Sequence, residues 1–252
     1  YTATELELRP TSPVCGPFFT ACPTCDAAAQ AEVDARTAEI QGGTSQAERI
    51  RNERMRDAGI PQRFREATIW NWQHGIDQQK RVWSVLRDYC GTFELALDSG
   101  RGLVLYGATG TGKTHLAVGA LRHVLDKGGT GFYTTAMDAV GRIRATYGKE
   151  AKETEERVLS SLVAVDLLVI DEIGRQTDTA HEREQLWRII DQRYRAIRPC
   201  ILCSNLNRDQ LKTFMGEAMV DRLRENGGSF LAFDWASQRS TKKPKPADGE
   251  SA

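Results

Sequence analysis

The stretch Gly107-Ala-Thr-Gly-Thr-Gly-Lys113-Thr114 decides the fold of this 252-residue chain. It has the pattern Gly-x4-Gly-Lys-Thr and stands between an apolar run, Leu103–Tyr106, and a helical pattern that begins near Lys113. Its glycines let the backbone turn so that N–H groups face phosphate oxygens, which then rest on the positive N-terminus of the helix. The stretch therefore predicts a nucleoside triphosphate site. The residues expected to line it are Gly107, Ala108, Thr109, Gly110, Thr111, Gly112, Lys113, Thr114 and His115.

Two carboxylates follow another apolar run, Asp166–Ile170. A carboxylate at the carboxyl end of a parallel strand lies beside the phosphate loop, so Asp171 is expected to hold Mg²⁺ together with Thr114. Glu172 is placed to orient and deprotonate a water molecule, which favours hydrolysis over phosphate transfer to a second substrate. The combination of loop and carboxylates predicts a catalytic ATPase site.

The order of patterns along the chain predicts an α/β fold. Short apolar strands alternate with amphipathic helices, which indicates a mostly parallel sheet covered on both faces. One helix is expected from Ile76 to Leu97, and Cys200 and Cys203 are expected as small buried residues on opposite faces of a strand. The expected divisions are an N-terminal region at 1–58, an ATPase domain at 59–240 and a disordered tail at 241–252.

Composition excludes several classes of protein. The 34 basic and 34 acidic residues cancel, which argues against nucleic-acid binding driven by charge alone. No run of about 18 apolar residues is present to span a bilayer, and the start of the sequence has no secretory pattern. We therefore expect a cytoplasmic protein with no membrane partner.

Three cysteines near the start form a candidate zinc site. Cys22 and Cys25 have the Cys-x-x-Cys spacing of zinc ligands, and Cys15 lies upstream. A fourth ligand is not evident in the sequence. The alternative is a set of unmetallated thiols at the tip of a partner-binding segment.

Five segments resemble the AAA+ helicase loaders of the DnaC/DnaI type, and together they extend from Gly59 to Arg239. The most distinctive are Asp221-Arg-Leu-Arg-Glu-Asn-Gly-Gly228 and Phe233-Asp-Trp-Ala-Ser-Gln-Arg239. The other three are Gly59–Phe64, Asp166–Gly174 and Ser204–Leu206. The resemblance implies a P-loop AAA+ core with a parallel sheet between helices, ATP and Mg²⁺ as cofactors, and no large C-terminal lid domain.

The same resemblance implies roles for three further side chains. Asn205 matches a sensor that positions the water or touches the γ-phosphate, although an Asn at this place in an unrelated sequence is more often a turn residue. Arg222 matches an arginine finger that acts on the nucleotide of a neighbouring subunit, and Arg239 matches a second sensor.

The implied partners are a hexameric replicative helicase, single-stranded DNA and further copies of the chain in a ring or spiral. Residues 1–58, with the cysteine cluster and a helical linker, are the candidate helicase-binding region. Arg142 and Arg144, with Tyr147 nearby, suit contact with single-stranded DNA, and a solvated amphipathic helix explains them equally well. Two rival functions remain open: an IstB-type helper ATPase of transposition, and a nucleotide-switched adaptor with little turnover.

Overall fold

The structure, a computed structural model, describes residues 46, 48–148, 150–175 and 180–238. Contacts divide the chain into two units, 1–51 and 52–252. At the centre of the second unit is a five-stranded parallel sheet in the order β2-β3-β4-β1-β5. The strands are β1 (Leu103–Gly107), β2 (Gly131–Thr135), β3 (Leu167–Ile173), β4 (Cys200–Ser204) and β5 (Ser229–Phe233).

Helices cover both faces of the sheet, as the predicted α/β fold requires. They are α1 (residues 48–57), α2 (Asp77–Gly91), α3 (Phe93–Ser99), α4 (Lys113–Asp126), α5 (Ala136–Arg144), α6 (Glu155–Ala164), α7 (Ala180–Arg195), α8 (Arg208–Met215) and α9 (Glu217–Glu225). Helices α2 and α4 pack on one face, and α5 to α9 pack on the other. No helix within the described ranges is long and apolar enough to cross a membrane.

The strands are apolar on both sides because both faces are buried. In β4, Cys203 and Ile201 join the core beneath α4, whereas Cys200 and Leu202 join the core beneath α7. Both cysteines are buried, so the prediction of small core residues on opposite faces is confirmed. Alternation within a continuous apolar run therefore assigns neighbouring residues to two separate cores.

The helix expected from Ile76 to Leu97 is two helices, α2 and α3. The chain leaves helical geometry at Thr92, where φ is −122° and ψ is 32°. The Thr92 hydroxyl donates to the Asp88 carbonyl at 2.7 Å, and Gly91 immediately before it has low helix propensity. The apolar periodicity continues across this break, which is why the pattern alone predicts one helix.

Strand β3 begins later and ends later than the apolar run predicts. Asp166 lies before the strand, where its side chain accepts hydrogen bonds from the Thr130 backbone N–H at 2.8 Å and from Arg198 at 2.8 Å. The strand continues through Asp171 and Glu172 to Ile173, with a shift of register against β4 between Ile170 and Ile173. The two carboxylates therefore lie inside an irregular strand end and not beyond it.

Arg193 of α7 is a buried cation that no local pattern predicts. It is fully buried, and its guanidinium donates to five backbone carbonyls. These carbonyls belong to Leu162, Val163, Val165, Asp166 and Pro199, at donor–acceptor distances between 2.6 and 3.2 Å. The side chain thereby satisfies the end of α6 and the turns that lead into β3 and β4. Burial lowers the pKa of Arg193 to about 10.

Candidate nucleotide site

The phosphate loop connects the end of β1 to the start of α4, and its glycines take conformations that other residues avoid. The φ angles of Gly107, Gly110 and Gly112 are 124°, 81° and 101°. A Cβ atom on Gly112 would lie 2.3 Å from the indole nitrogen of Trp72, and one on Gly107 would lie 2.7 Å from the Phe233 carbonyl oxygen. Both positions therefore require glycine for conformation and for space.

The first turn of α4 is arranged as an anion site. Its N-cap, Gly112, has no side chain that could satisfy the exposed N–H groups, so a phosphate can take that place. Lys113 is 5% exposed, and its ammonium donates to the carbonyls of Gly107 at 2.8 Å and Ala108 at 2.7 Å. A buried cation inside a curl of glycines fits the phosphates of a nucleotide.

Thr114 and Asp171 meet at the position where a magnesium ion would be held. The Thr114 hydroxyl donates to Oδ2 of Asp171 at 2.7 Å. A hydroxyl and a carboxylate are the hard oxygen ligands that Mg²⁺ prefers, so the donor set fits the ion. The structure therefore brings together the two side chains that the sequence predicts as magnesium ligands.

Tyr133 of β2 is a site residue that no motif in the sequence identifies. Its hydroxyl donates to the same Oδ2 atom of Asp171 at 3.0 Å. Burial, followed by the charge of Asp171, raises the pKa of Tyr133, which keeps the phenol protonated and therefore able to donate. The signal that could have identified it is a polar aromatic residue on the strand that pairs with β3, but that pairing is known only from the sheet order.

Glu172 faces the same cleft and has an unusual backbone conformation. Its φ angle is +57°, in the left-handed region, at the irregular end of β3. The Glu172 backbone N–H donates to Oδ1 of Asp171 at 2.7 Å, which holds this conformation. Its carboxylate accepts a hydrogen bond from Arg175 at 2.6 Å. Non-glycine residues with such φ values are concentrated at functional sites.

The cleft brings together most of the residues expected in the site. Among the described residues, its lining consists of Phe64, Thr109, Gly110, Gly112, Lys113, Thr114, His115, Asp171, Glu172, Arg175 and Asn205. Ala108 and Thr111 instead stabilise the loop, because the Thr111 hydroxyl donates to the Ala108 carbonyl at 2.7 Å. Asn205 follows β4 directly and lies on this lining together with Glu172.

Two segments distant in sequence hold the phosphate loop, and neither contact follows from a local pattern. From the segment before α2, Asn71 and the Thr68 carbonyl contact the His115 ring at 2.9 and 3.0 Å. From the segment after β5, the Trp235 indole donates to the Thr111 carbonyl at 3.1 Å, and the Gln238 backbone N–H donates to the Gly110 carbonyl at 2.9 Å. His115 therefore has a structural contact in addition to its place on the cleft.

Arg222 lies away from this cleft. It lines a small cavity with Gly102 and Cys200, which stand at the amino ends of β1 and β4, whereas the phosphate loop follows the carboxyl end of β1. A five-residue strand is about 15 Å long, so Arg222 and the phosphate loop lie at opposite ends of the strands. Arg222 pairs with Asp191 and lies over the ring of Tyr194 at 5.7 Å.

The two arginines considered for contact with DNA are paired with carboxylates, and the remaining expected site residues lie outside the described ranges. Arg142 pairs with Glu153 at 2.9 Å, and Arg144 pairs with Glu182 at 2.8 Å, so neither presents an unpaired cation. Arg239, Cys15, Cys22 and Cys25 are outside the described ranges. Within those ranges, no cluster of three or more His, Cys, Asp or Glu side chains could hold a metal ion.

Comparison with known proteins identifies the family of the chain. Residues 42–239 match the family model of the IstB-like ATP binding protein. The replicative helicase loader DnaC of Escherichia coli strain K12 is 31% identical over 183 residues, covering 73% of this chain and 73% of that protein. The DnaC protein of Buchnera aphidicola subsp. Schizaphis graminum is also 31% identical, over 182 residues, 72% of this chain and 73% of that protein.

Solved structures show the same fold. The crystal structure of a DnaC helicase loader superposes with a TM-score of 0.59 and 26% identity, covering 68% of this chain and 99% of that one. A crystal structure of DnaI superposes with a TM-score of 0.57 at 16% identity, covering 71% of this chain and 94% of that one. With its P-loop, its paired Thr114 and Asp171 and these relatives, the chain belongs to the family of IstB-like ATP-binding proteins that includes the DnaC helicase loaders.

Proposed function

We propose that this protein hydrolyses ATP in order to load a hexameric replicative helicase onto single-stranded DNA. The observation that carries the proposal is the single cleft that unites Lys113, Thr114, Asp171, Glu172 and Asn205. Its relatives are named replicative helicase loaders, and the match covers nearly three quarters of their length. Members of this family are P-loop ATPases, which supports ATP and Mg²⁺ as cofactors.

Each side chain of the cleft has a separate role in nucleotide binding or hydrolysis. Lys113 and the backbone of the loop bind the phosphates, and Thr114 with Asp171 would hold Mg²⁺, which neutralises charge on the phosphates when bound. Glu172 accepts the proton of the attacking water, and Asn205 orients that water or the γ-phosphate. Lys113 donates to carbonyls of its own loop, so nucleotide binding requires it to exchange these bonds for phosphate oxygens.

Arg222 is proposed as the arginine finger of a neighbouring subunit. Its position at the edge of the sheet opposite the phosphate loop supports this role, because the side chain is too far away to serve the nucleotide of its own subunit. Release of the guanidinium from Asp191 would be part of assembly. A guanidinium that arrives with the neighbouring subunit neutralises phosphoryl-transfer charge only in the assembled state, which implies a ring or spiral.

Several assignments made from the sequence or from the resemblance remain predictions. They are Arg239 as the second sensor, zinc binding by Cys15, Cys22 and Cys25, and helicase binding by residues 1–58. The division into 1–58, 59–240 and 241–252 and the cytoplasmic location belong with them.

The decisive experiment measures two quantities, helicase loading and single-turnover ATP hydrolysis, for the native protein and for the Glu172→Gln variant. Purified hexameric helicase, single-stranded DNA covered by single-strand-binding protein, and ATP are combined, and DNA-bound helicase is counted. We expect the native protein to load helicase, and Glu172→Gln to bind ATP with single-turnover hydrolysis reduced at least about 100-fold. Glu217→Gln is the matched control, since Glu217 of α9 is exposed and pairs with Lys212 of α8. Equal single-turnover rates for native protein and Glu172→Gln would contradict the role of Glu172 and favour an adaptor with little turnover.

A transposition helper is the second candidate, because the matching family model carries the IstB name. Partner recovery separates the two functions. The tagged protein is incubated with ATP and either a hexameric helicase with single-stranded DNA or a transposase with duplex DNA. Retention of transposase and duplex DNA without helicase would refute the loader function.

A further inference from the structure

We propose that Arg175 restrains ATP hydrolysis by holding the carboxylate of Glu172 in an ion pair, so that the site turns over slowly until the pair opens. The inference rests on the proposed ATPase function and adds a positioning residue that regulates the same site. Arg175 lies two residues beyond the end of β3 and lines the nucleotide cleft.

The geometry of the pair is specific. An Nη1 atom of Arg175 donates to Oε1 of Glu172 at 2.6 Å, and the Arg175 backbone N–H donates to the Glu172 carbonyl at 3.2 Å. A carboxylate that accepts a charge-assisted hydrogen bond is turned towards its partner, and the lone pairs engaged in that bond are not directed at a water molecule. The group expected to activate water is therefore engaged elsewhere in this conformation.

The backbone around Glu172 is fixed, which leaves the side chain as the part that can move. The Ser204 hydroxyl donates to the Ile173 carbonyl at 2.8 Å, and Asp171 accepts the Glu172 N–H. A Cβ atom on Gly174 would lie 2.5 Å from a methyl group of Leu206, so the turn is packed closely against the segment that follows Asn205. Opening the ion pair thus needs only rotation of two side chains.

Exposure limits the strength of the restraint. The Arg175 side chain is 67% exposed and the Glu172 side chain 39% exposed, so solvent and salt weaken their attraction. Pairs of this kind change an equilibrium by small factors. We therefore expect an effect of about two- to fivefold on the rate and not an on–off switch.

The test compares basal hydrolysis, without helicase or DNA, in four proteins: native, Arg175→Ala, Arg175→Lys and Arg188→Ala. Arg188 pairs with Glu155 on the surface, away from the cleft, and is the matched control. We expect Arg175→Ala to raise basal kcat about two- to fivefold with KM for ATP unchanged, and Arg175→Lys to fall between it and the native protein. Arg188→Ala should leave basal kcat unchanged.

Ionic strength gives a readout that a merely structural role would not move. If the pair restrains hydrolysis, the ratio of the Arg175→Ala rate to the native rate should approach one between about 50 mM and about 500 mM salt, because salt screens the native pair. An Arg175→Ala rate equal to or below the native rate, or a raised KM for ATP, would overturn the inference and indicate contact with phosphate. Helicase loading is scored separately, so a protein that hydrolyses ATP but loads no helicase refutes the loader function and leaves this result intact.

Discussion

Replacing Tyr133 by Phe tests whether the buried phenol positions the magnesium ligand. The variant keeps the ring in the core and removes only the hydroxyl that donates to Oδ2 of Asp171. A hydrogen bond to a charged acceptor contributes about 1.5–3 kcal/mol, and loss of a hydrogen bond that orients a metal ligand costs about 10- to 100-fold in metal affinity. Asp171 keeps two other donors, Thr114 and the Glu172 N–H, so we expect the lower end, about tenfold.

The assay is a titration of Mg²⁺ against binding of a fluorescent ATP analogue at fixed nucleotide concentration. We expect the midpoint for Mg²⁺ to rise about tenfold in Tyr133→Phe, and excess Mg²⁺ to restore binding. Tyr194→Phe is the matched control, because the Tyr194 hydroxyl also donates to a carboxylate, that of Glu225 at 2.6 Å, but does not line the nucleotide cleft. A midpoint for Tyr133→Phe within twofold of the native value, with Tyr194→Phe behaving alike, would refute the positioning role.

Three further predictions concern assembly, stability and thiol chemistry. Arg222→Ala and Lys113→Ala should each be inactive in stimulated hydrolysis. If the finger acts between subunits, an equal mixture of the two variants should regain about a quarter of native activity, because about one site in four then combines an intact Lys113 with an intact Arg222 of the neighbouring subunit. An inactive mixture would contradict the role of Arg222 as a finger. Arg193→Met should lower the free energy of unfolding by about 3–5 kcal/mol, because buried carbonyls lose their donor. In a thermal scan Tm should fall by about 6–20 °C, and a fall of less than about 3 °C would contradict this role for the buried guanidinium. Burial raises the pKa of Cys90 to about 12 and of Cys200 to about 11. Peptide mapping after iodoacetamide treatment at about pH 8 should therefore find both thiols unlabelled in the folded protein and labelled in denaturant, and stability should fall as the pH rises above about 9; rapid labelling of the folded protein would contradict their burial.

Much of the site follows from local patterns, because its central groups lie where strands end. The β1–loop–α4 unit and the pair Asp171 and Glu172 need only the Gly-x4-Gly-Lys-Thr pattern, an apolar run and the rule that parallel strands end at one edge. The order of strands in the sheet is what brings these groups within hydrogen-bonding distance, and the contact between Thr114 and Asp171 spans 57 positions in the sequence.

The remaining contacts depend on which strands and segments become neighbours. Tyr133 reaches Asp171 because β2 pairs with β3, and Trp235 reaches Thr111 across 124 positions. Hydrophobic periodicity reports the buried face of one element and carries no information about its neighbour. Arg193 is missed for the same reason: a charged residue on an amphipathic helix predicts exposure unless the carbonyls that surround it are known.

The contacts of Trp72 and Trp235 with the phosphate loop place two fluorescent side chains beside the nucleotide site. Trp72 packs against Gly112 with its indole nitrogen 2.3 Å from the place a side chain would occupy, and Trp235 donates to the carbonyl of Thr111. Indole emission responds to the polarity and hydrogen bonding around the ring. Filling of the loop by nucleotide should therefore change intrinsic fluorescence, and stopped-flow mixing can time nucleotide arrival and departure on the unlabelled chain.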